Sequence, residues 1–205
     1  MAVGIISTST NSGETFAATW DFLNIDYVPS DATADMGVTL NGGINASTYS
    51  SGSFTITNNS PSQEILTVTL DLSSALLPDL VFDPADGTSA GDTTNKCLVA
   101  DSGVSATGYI TPTDNCVDPF SAPYQNGYYV ATLSFNDFQP GESFAFSVDV
   151  DPTSIQGTSA PGPGDAGSVS GLGLTGSAVN VEFSDLASLA SDLYRQPSSL
   201  GGGRA

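Results

Sequence analysis

The sequence predicts an all-β protein: a single antiparallel β-sandwich of about seven to nine strands, carrying one long loop. Three observations lead there. Charged residues make up only 12% of the chain, and Ser, Thr, Gly and Asn fill the polar positions instead, which suits exposed strand faces and turns better than the wet side of a helix. Several segments alternate apolar and hydroxyl residues with period two. Turn residues punctuate those segments at short intervals. With 39% hydrophobic residues and ten Phe, the chain can bury a core and is not a disordered acidic tail.

Taken in order, the first core segment is Thr15-Phe-Ala-Ala-Thr-Trp-Asp-Phe-Leu-Asn-Ile-Asp-Tyr-Val28, one or two strands ending at Pro29, with Trp20 in the core. Gly52-Ser-Phe-Thr-Ile-Thr57 alternates, Asn58-Asn-Ser-Pro61 supplies a turn, and Ile65-Leu-Thr-Val-Thr-Leu-Asp-Leu72 returns with Leu66, Val68, Leu70 and Leu72 inward. Together they predict a hairpin with one buried and one hydroxyl-coated face. Leu77-Pro-Asp-Leu-Val-Phe-Asp-Pro84 closes one edge. The pattern then dissolves over about 84–126, a length that inside a compact domain needs a function or a staple. Order resumes at Tyr128-Tyr-Val-Ala-Thr-Leu-Ser-Phe135 and, after Gln139-Pro-Gly-Glu142, at Phe144-Ala-Phe-Ser-Val-Asp-Val150. Pro140-Gly141 suits the centre of a type II turn. Gly157 to Gly167 is a second loop. Ala178-Val-Asn-Val-Glu-Phe183 turns Val179, Val181 and Phe183 inward, and Leu186 to Leu193 reads as a final strand or a short helical turn. No internal repeat or boundary interrupts residues 1–205, so they read as one domain with its core in about 15–195.

Charge excludes more than any motif offers. Lys96, Arg195 and Arg204 are the only basic residues against 22 acids, histidine is absent, and the formal charge is −19. Such a surface repels phosphate backbones and anionic headgroups, which argues against nucleic acid and membrane-surface partners. Without imidazole, Ser-His-Asp and Cys-His nucleophiles and His-ligated zinc are excluded. No segment has the roughly 18 consecutive apolar residues of a membrane span. The partners left are cations, neutral polymers such as glycans, and other protein surfaces.

Cys97 and Cys116 lie in the unpatterned stretch. An even count in a Gly/Asp/Thr-rich setting suggests a disulfide and an oxidising compartment; reduced buried thiols, or one half of a metal site, are the rival readings. A bridge there would stabilise the fold by about 3 kcal/mol. Asn45-Ala-Ser and Asn58-Asn-Ser match glycosylation acceptors, a pattern that arises easily by chance in a Ser/Asn-rich chain. Met1-Ala-Val-Gly-Ile-Ile6 has neither the basic nor the long apolar region of a signal peptide, and the tail Leu200-Gly-Gly-Gly-Arg-Ala205 suits a fragment or a processed product.

Two groups of side chains are candidate sites. Asp83, Asp86, Asp149 and Asp151 offer hard oxygen ligands for calcium, with Asp92, Asp101, Asp114 and Asp118 in the same loops. No EF-hand spacing is present. Alternate aspartates such as 149 and 151 are often just a solvated strand face, and Asp-Pro and Asp-Gly are ordinary turn formers. A glycosidase would need two carboxylates across a sugar cleft, which sequence alone does not show and which the low count of cleft-type aromatics argues against. Phe120, Tyr124, Tyr128 and Tyr129, beside Gln125 and Asn126, are the second group: flat rings flanked by amides and carboxylates hold neutral sugars. The bland reading places Tyr129 in the core and Tyr124 and Tyr128 over the sandwich edge. A terminal strand such as 2–7 is a further candidate, for pairing between copies.

Several motifs in this order carry a resemblance: Leu77 to Pro84, Lys96-Cys97 with Cys116-Val-Asp-Pro-Phe120, Phe135-Asn-Asp-Phe-Gln-Pro-Gly-Glu142, Phe146-Ser-Val-Asp-Val-Asp-Pro-Thr-Ser-Ile155 and Gly167-Ser-Val-Ser-Gly-Leu172. Over roughly 15–195 the chain resembles an Ig-like β-sandwich of large secreted bacterial surface proteins, found beside malectin-type domains. The resemblance implies an extracellular, secreted or cell-surface setting, one disulfide, and a structural or adhesive role among other subunits or domains, with no catalytic residue to transfer. One departure stands out. After Phe183-Ser-Asp185 such domains continue with Gly and Thr, whereas this chain has Leu186-Ala187. The expectation is therefore a non-enzymatic extracellular module, with a strand-exchanging filament or surface-layer homopolymer and a carbohydrate-binding module as alternatives, and no cofactor other than calcium.

Overall fold

The computed structural model describes residues 31–43, 45–84, 89–159 and 169–205. The expected first core segment with Trp20, the 2–7 strand, Asp86 and the Pro161-Gly-Pro-Gly164 loop lie outside them. The described chain forms β1 (Ala34–Val38), β2 (Phe54–Asn58), β3 (Ile65–Asp71), β4 (Leu80–Phe82), β5 (Val99–Ser102), β6 (Phe120–Tyr124) and β7 (Gly127–Phe138). It continues with β8 (Ser143–Ser147), β9 (Val150–Pro152), a 3₁₀ turn at Thr153–Ile155, β10 (Ala178–Phe183), β11 (Ser188–Asp192), β12 (Tyr194–Arg195) and β13 (Gly203–Arg204). Every strand pairing is antiparallel, in a six-stranded sheet ordered β12-β13-β1-β2-β8-β5 and a seven-stranded sheet ordered β11-β10-β3-β7-β4-β9, with β6 on β7. The protein is all-β, as expected, with more strands than seven to nine because several have only two or three residues.

The alternation predicted from sequence builds the interior. Phe54, Ile56, Phe144 and Phe146 from one sheet meet Ile65, Val68, Leu70, Phe138 and Phe183 from the other, all almost fully buried. Phe54 and Phe146 oppose each other across β2 and β8 and stack with centroids 4.6 Å apart. On the outer faces the hydroxyls pair instead: Thr67 donates to Glu182 Oε2 at 2.9 Å, and Thr69 meets Thr132 at 3.2 Å.

The expected hairpin of 52–57 with 65–72 does not form. β2 pairs with β1 and β8 in one sheet, and β3 pairs with β7 and β10 in the other. Both strands carry an apolar face, and these faces meet across the core rather than edge to edge. Asn58, fully buried, fixes the crossing: its amide donates to the carbonyls of Gln63 and Phe138, each at 2.8 Å, and accepts from the Ser60 N–H at 3.0 Å. Burial in this role also removes Asn58 as a glycan acceptor. A bulge between Ile65 and Thr67 shifts the start of β3, so Ile65 is buried and Leu66 is exposed, reversing the expected phase at that end.

The stretch 84–126 is not structureless. It contains β5, which pairs with β8 through a bulge, and β6, which pairs with β7. Gln125 and Asn126, at φ 43° and 73°, form the two-residue turn joining β6 to β7, the primed geometry whose twist suits a hairpin. The Pro140-Gly141 turn forms as expected, with Gly141 at φ 84° and the Glu142 N–H donating to the Gln139 carbonyl at 3.2 Å.

Leu186 to Leu193 resolves as a strand. β10 and β11 make a tight hairpin with Glu182 opposite Ser188. Leu186 takes the left-handed position at φ 68° with its side chain 93% exposed. An L-residue with a branched side chain is strained there, and the exposed isobutyl group gains nothing from packing. Leu186→Gly is expected to stabilise the protein by about 0.5–1 kcal/mol, the relieved strain being partly offset by the looser unfolded chain. The midpoint of urea unfolding reads it, and a lower midpoint would show that Leu186 makes a contact worth more than the strain.

The glycine-rich tail is woven into the sheet. Gly203 lies between β1 and β12, and the Arg204 guanidinium pairs with Asp35, its Nε 2.9 Å from Oδ2. A Cβ on Gly171 would stand 2.3 Å from both the Gly203 nitrogen and the Val38 carbonyl oxygen. Backbone therefore packs on backbone at this edge, which only glycine permits.

Candidate functional site

The segment expected to be one strand, Phe144 to Val150, is split between the sheets. β8 ends at Ser147 in one and β9 begins at Val150 in the other. Asp149 sits at this crossing. Its N–H donates to the Lys96 carbonyl at 3.1 Å, and its own carbonyl accepts from the Asp83 N–H at 3.0 Å; the Asp83 carbonyl accepts from the Lys96 N–H at 3.3 Å. Three distant stretches are thus laced together where β4 ends. Cys97 follows immediately and is bridged to Cys116, with Cα atoms 4.5 Å apart. The disulfide expected from the cysteine count is formed at this corner, and the Cys97 sulfur lies 3.2 Å from the Pro84 carbonyl oxygen.

The lacing draws four carboxyl groups inside. Asp83, Asp92, Asp149 and Asp151 are 0%, 4%, 5% and 2% exposed. The spacing of 149 and 151 allowed a solvated strand face, but Asp149, at the crossing, and Asp151, within β9, are both buried. Some of the oxygens hold the loop. The Gly91 N–H donates to Asp83 Oδ2 and the Asp92 N–H to Asp151 Oδ2, both at 2.9 Å. Asp92 Oδ1 accepts from the Thr94 N–H at 2.6 Å. Gly91 lies flat on Asp151, where a Cβ would come within 2.1 Å of the aspartate's own Cβ. Two oxygens, Asp83 Oδ1 and Asp149 Oδ2, are buried with no hydrogen-bond partner.

Electrostatics follow from the burial. Loss of solvent, reinforced by Asp151, Asp83 and Asp92, pushes the Asp149 carboxyl up to about 8. Burial pushes Asp151 up to about 7 against the Asp92 N–H, which favours its anion, with Asp92 and Asp83 adding to the rise. Asp83 is raised by burial and by Asp92, while the N–H groups of Gly91 and Ala90 restrain it. Among the described residues no side-chain cation answers this charge. Lys96 points away, its Nζ donating to the Tyr49 carbonyl at 2.6 Å and to Ser147 Oγ at 2.8 Å. Arg204 is held by Asp35, and Arg195 is exposed on β12.

Of the four aspartates named from sequence, the structure brings together Asp83, Asp149 and Asp151. Asp86 is outside the described residues. Asp92 joins them, a position the sequence offered only as one loop carboxylate among several. The other loop carboxylates are engaged elsewhere. Asp101 accepts from Ser51 Oγ at 2.6 Å and the Gly52 N–H at 2.8 Å, and Asp114 accepts from the Cys116 N–H at 2.8 Å. Among the described residues no three His, Cys, Asp or Glu side chains converge at the spacing of a finished metal cage.

The aromatic group divides. Tyr124 stacks on Tyr129 at 4.8 Å, and Tyr128 on Phe120 at 5.6 Å, with Phe120 itself buried against Phe82. Tyr124 and Tyr128 are each half-buried and belong to separate ring pairs rather than one flat platform, and Asn126 is a turn former. Comparisons with family models, with curated proteins and with solved structures gave no match.

Proposed function

We propose that this chain is a non-enzymatic structural and adhesive module of an extracellular bacterial surface assembly. The observation that carries this reading is the fastening of the long 84–126 excursion. A disulfide and the backbone lacing of Asp83, Lys96 and Asp149 bind its base to the sandwich, and disulfides persist in oxidising compartments. Durable hydroxyl-rich strand faces with a high negative charge suit a module that must stay soluble outside the cell. The test is fractionation of the native cells with thiol labelling before and after reduction. The chain is expected in the secreted or surface fraction, with Cys97 and Cys116 labelled only after reduction. A cytosolic chain with free thiols overturns the reading.

Strand addition between copies is the second reading, favoured by one feature. Among the described residues β11 ends its sheet, all five of its residues are exposed, and none is the lysine that commonly blunts an edge. Light scattering of the purified chain is expected to find polymers that Ala190→Lys dissolves. A monomer in both removes this reading.

A further inference from the structure

Asp83, Asp92, Asp149 and Asp151 are each more than nine-tenths buried, and Asp83 Oδ1 and Asp149 Oδ2 have no hydrogen-bond partner. Buried carboxylates are normally paired with a cation or bound to a metal. The three side-chain cations of the whole chain are at Lys96, Arg195 and Arg204, and each is directed elsewhere. A cation satisfies both the charge and the lone pairs.

We propose that the corner where β4, the 148–149 crossing and the 91–96 loop meet binds one calcium ion, with Asp83 Oδ1 and Asp149 Oδ2 as its carboxylate ligands. Asp92 and Asp151 act one step back: Asp151 holds the Asp92 N–H and Asp92 holds Thr94, so the loop lies over the site. Only two carboxylates need reach the ion, in keeping with the lack of a three-carboxylate cage, because calcium fills its six to eight positions with backbone carbonyl and water oxygens as well. The donors are all oxygen, which disfavours softer metals. Magnesium, which sheds its water reluctantly, suits a closed and largely dry corner less well. The ion would lock the loop to both sheets at the corner the disulfide already closes.

The experiment is calorimetric titration of the chelator-stripped full chain with calcium chloride, together with thermal melts in calcium, in magnesium and in chelator. One ion per chain is expected, and calcium at about a hundred times its Kd raises the Tm by roughly 5–10 °C. Asp149→Asn keeps the shape, removes the charge, and is expected to melt in chelator at or above the wild-type temperature while losing the calcium shift. Asp83→Asn is expected to lose it too. No saturable binding by the wild type overturns the site, as does an equal shift in both variants, which would mean that the acidic surface merely collects ions. An equal response to magnesium overturns the assignment to calcium.

Discussion

In a chelating buffer the protein is expected to lose several kcal/mol of stability as the pH rises from about 4 to about 8, the reverse of the usual acid-labile pattern. The sign follows from the direction of the shifts. Burial raises the Asp149 carboxyl to about 8 and the Asp151 carboxyl to about 7, against an ordinary value of 3.8. Below 3.8 both carboxyls are protonated in the folded and unfolded chains, and their contribution is fully present. Above it the unfolded chain ionises freely while the folded chain must keep its protons. Each pH unit of that mismatch removes about 1.4 kcal/mol per group until the folded carboxyl ionises as well. A weaker limb runs the other way. For Asp101, burial is outweighed by the Ser51 hydroxyl and the Gly52 N–H, so its carboxyl is held below the ordinary value, and its contribution is lost as pH falls. Maximum stability is expected near pH 4–5 by this balance. Urea midpoints measured across pH in chelator check it. Asp149→Asn is expected to flatten the slope, and a stability that rises with pH between 5 and 8 in the wild type would contradict the burial of these groups.

The sequence made the strands legible where one face is core and the other hydroxyl. β10 follows its pattern, with Val179, Val181 and Phe183 buried, and the Pro140-Gly141 turn is fixed by backbone chemistry that needs no tertiary context. The partners of those strands were not legible. Period two says that a strand has an apolar face; it does not say whether that face meets its neighbour in the same sheet or across the core. The turn residues at 58–61 fit either outcome, and the buried amide of Asn58 decided for the crossing. β5 and β6 were hidden for a related reason: edge strands carrying bulges or Pro123 need no alternation. The aspartate site was half visible. The spacing of Asp149 and Asp151 allowed a shared strand face, but their burial depends on a chain that changes sheets at 148–149, and Asp92 joins them only through the folded loop.

Replacing both cysteines by serine is expected to destabilise the protein by about 3 kcal/mol, through the freedom returned to the unfolded chain when a 19-residue separation is released. For a chain of this length that is a fall in Tm of roughly 6–12 °C. The fall should not be confined to the loop. Cys97 adjoins Lys96, whose N–H and carbonyl join Asp83 to Asp149, so loosening the bridge slackens the frame that sets the two orphaned oxygens. The Cys97→Ser, Cys116→Ser chain is therefore expected to bind calcium more weakly than the oxidised wild type, and reductant alone to reproduce both effects. The paired measurement separates two roles of the bridge. A loss of stability with unchanged calcium affinity means that the disulfide acts only on the unfolded chain. Loss of both means that it also holds the corner in shape, with the covalent and ionic fastenings of the 84–126 excursion acting on one frame.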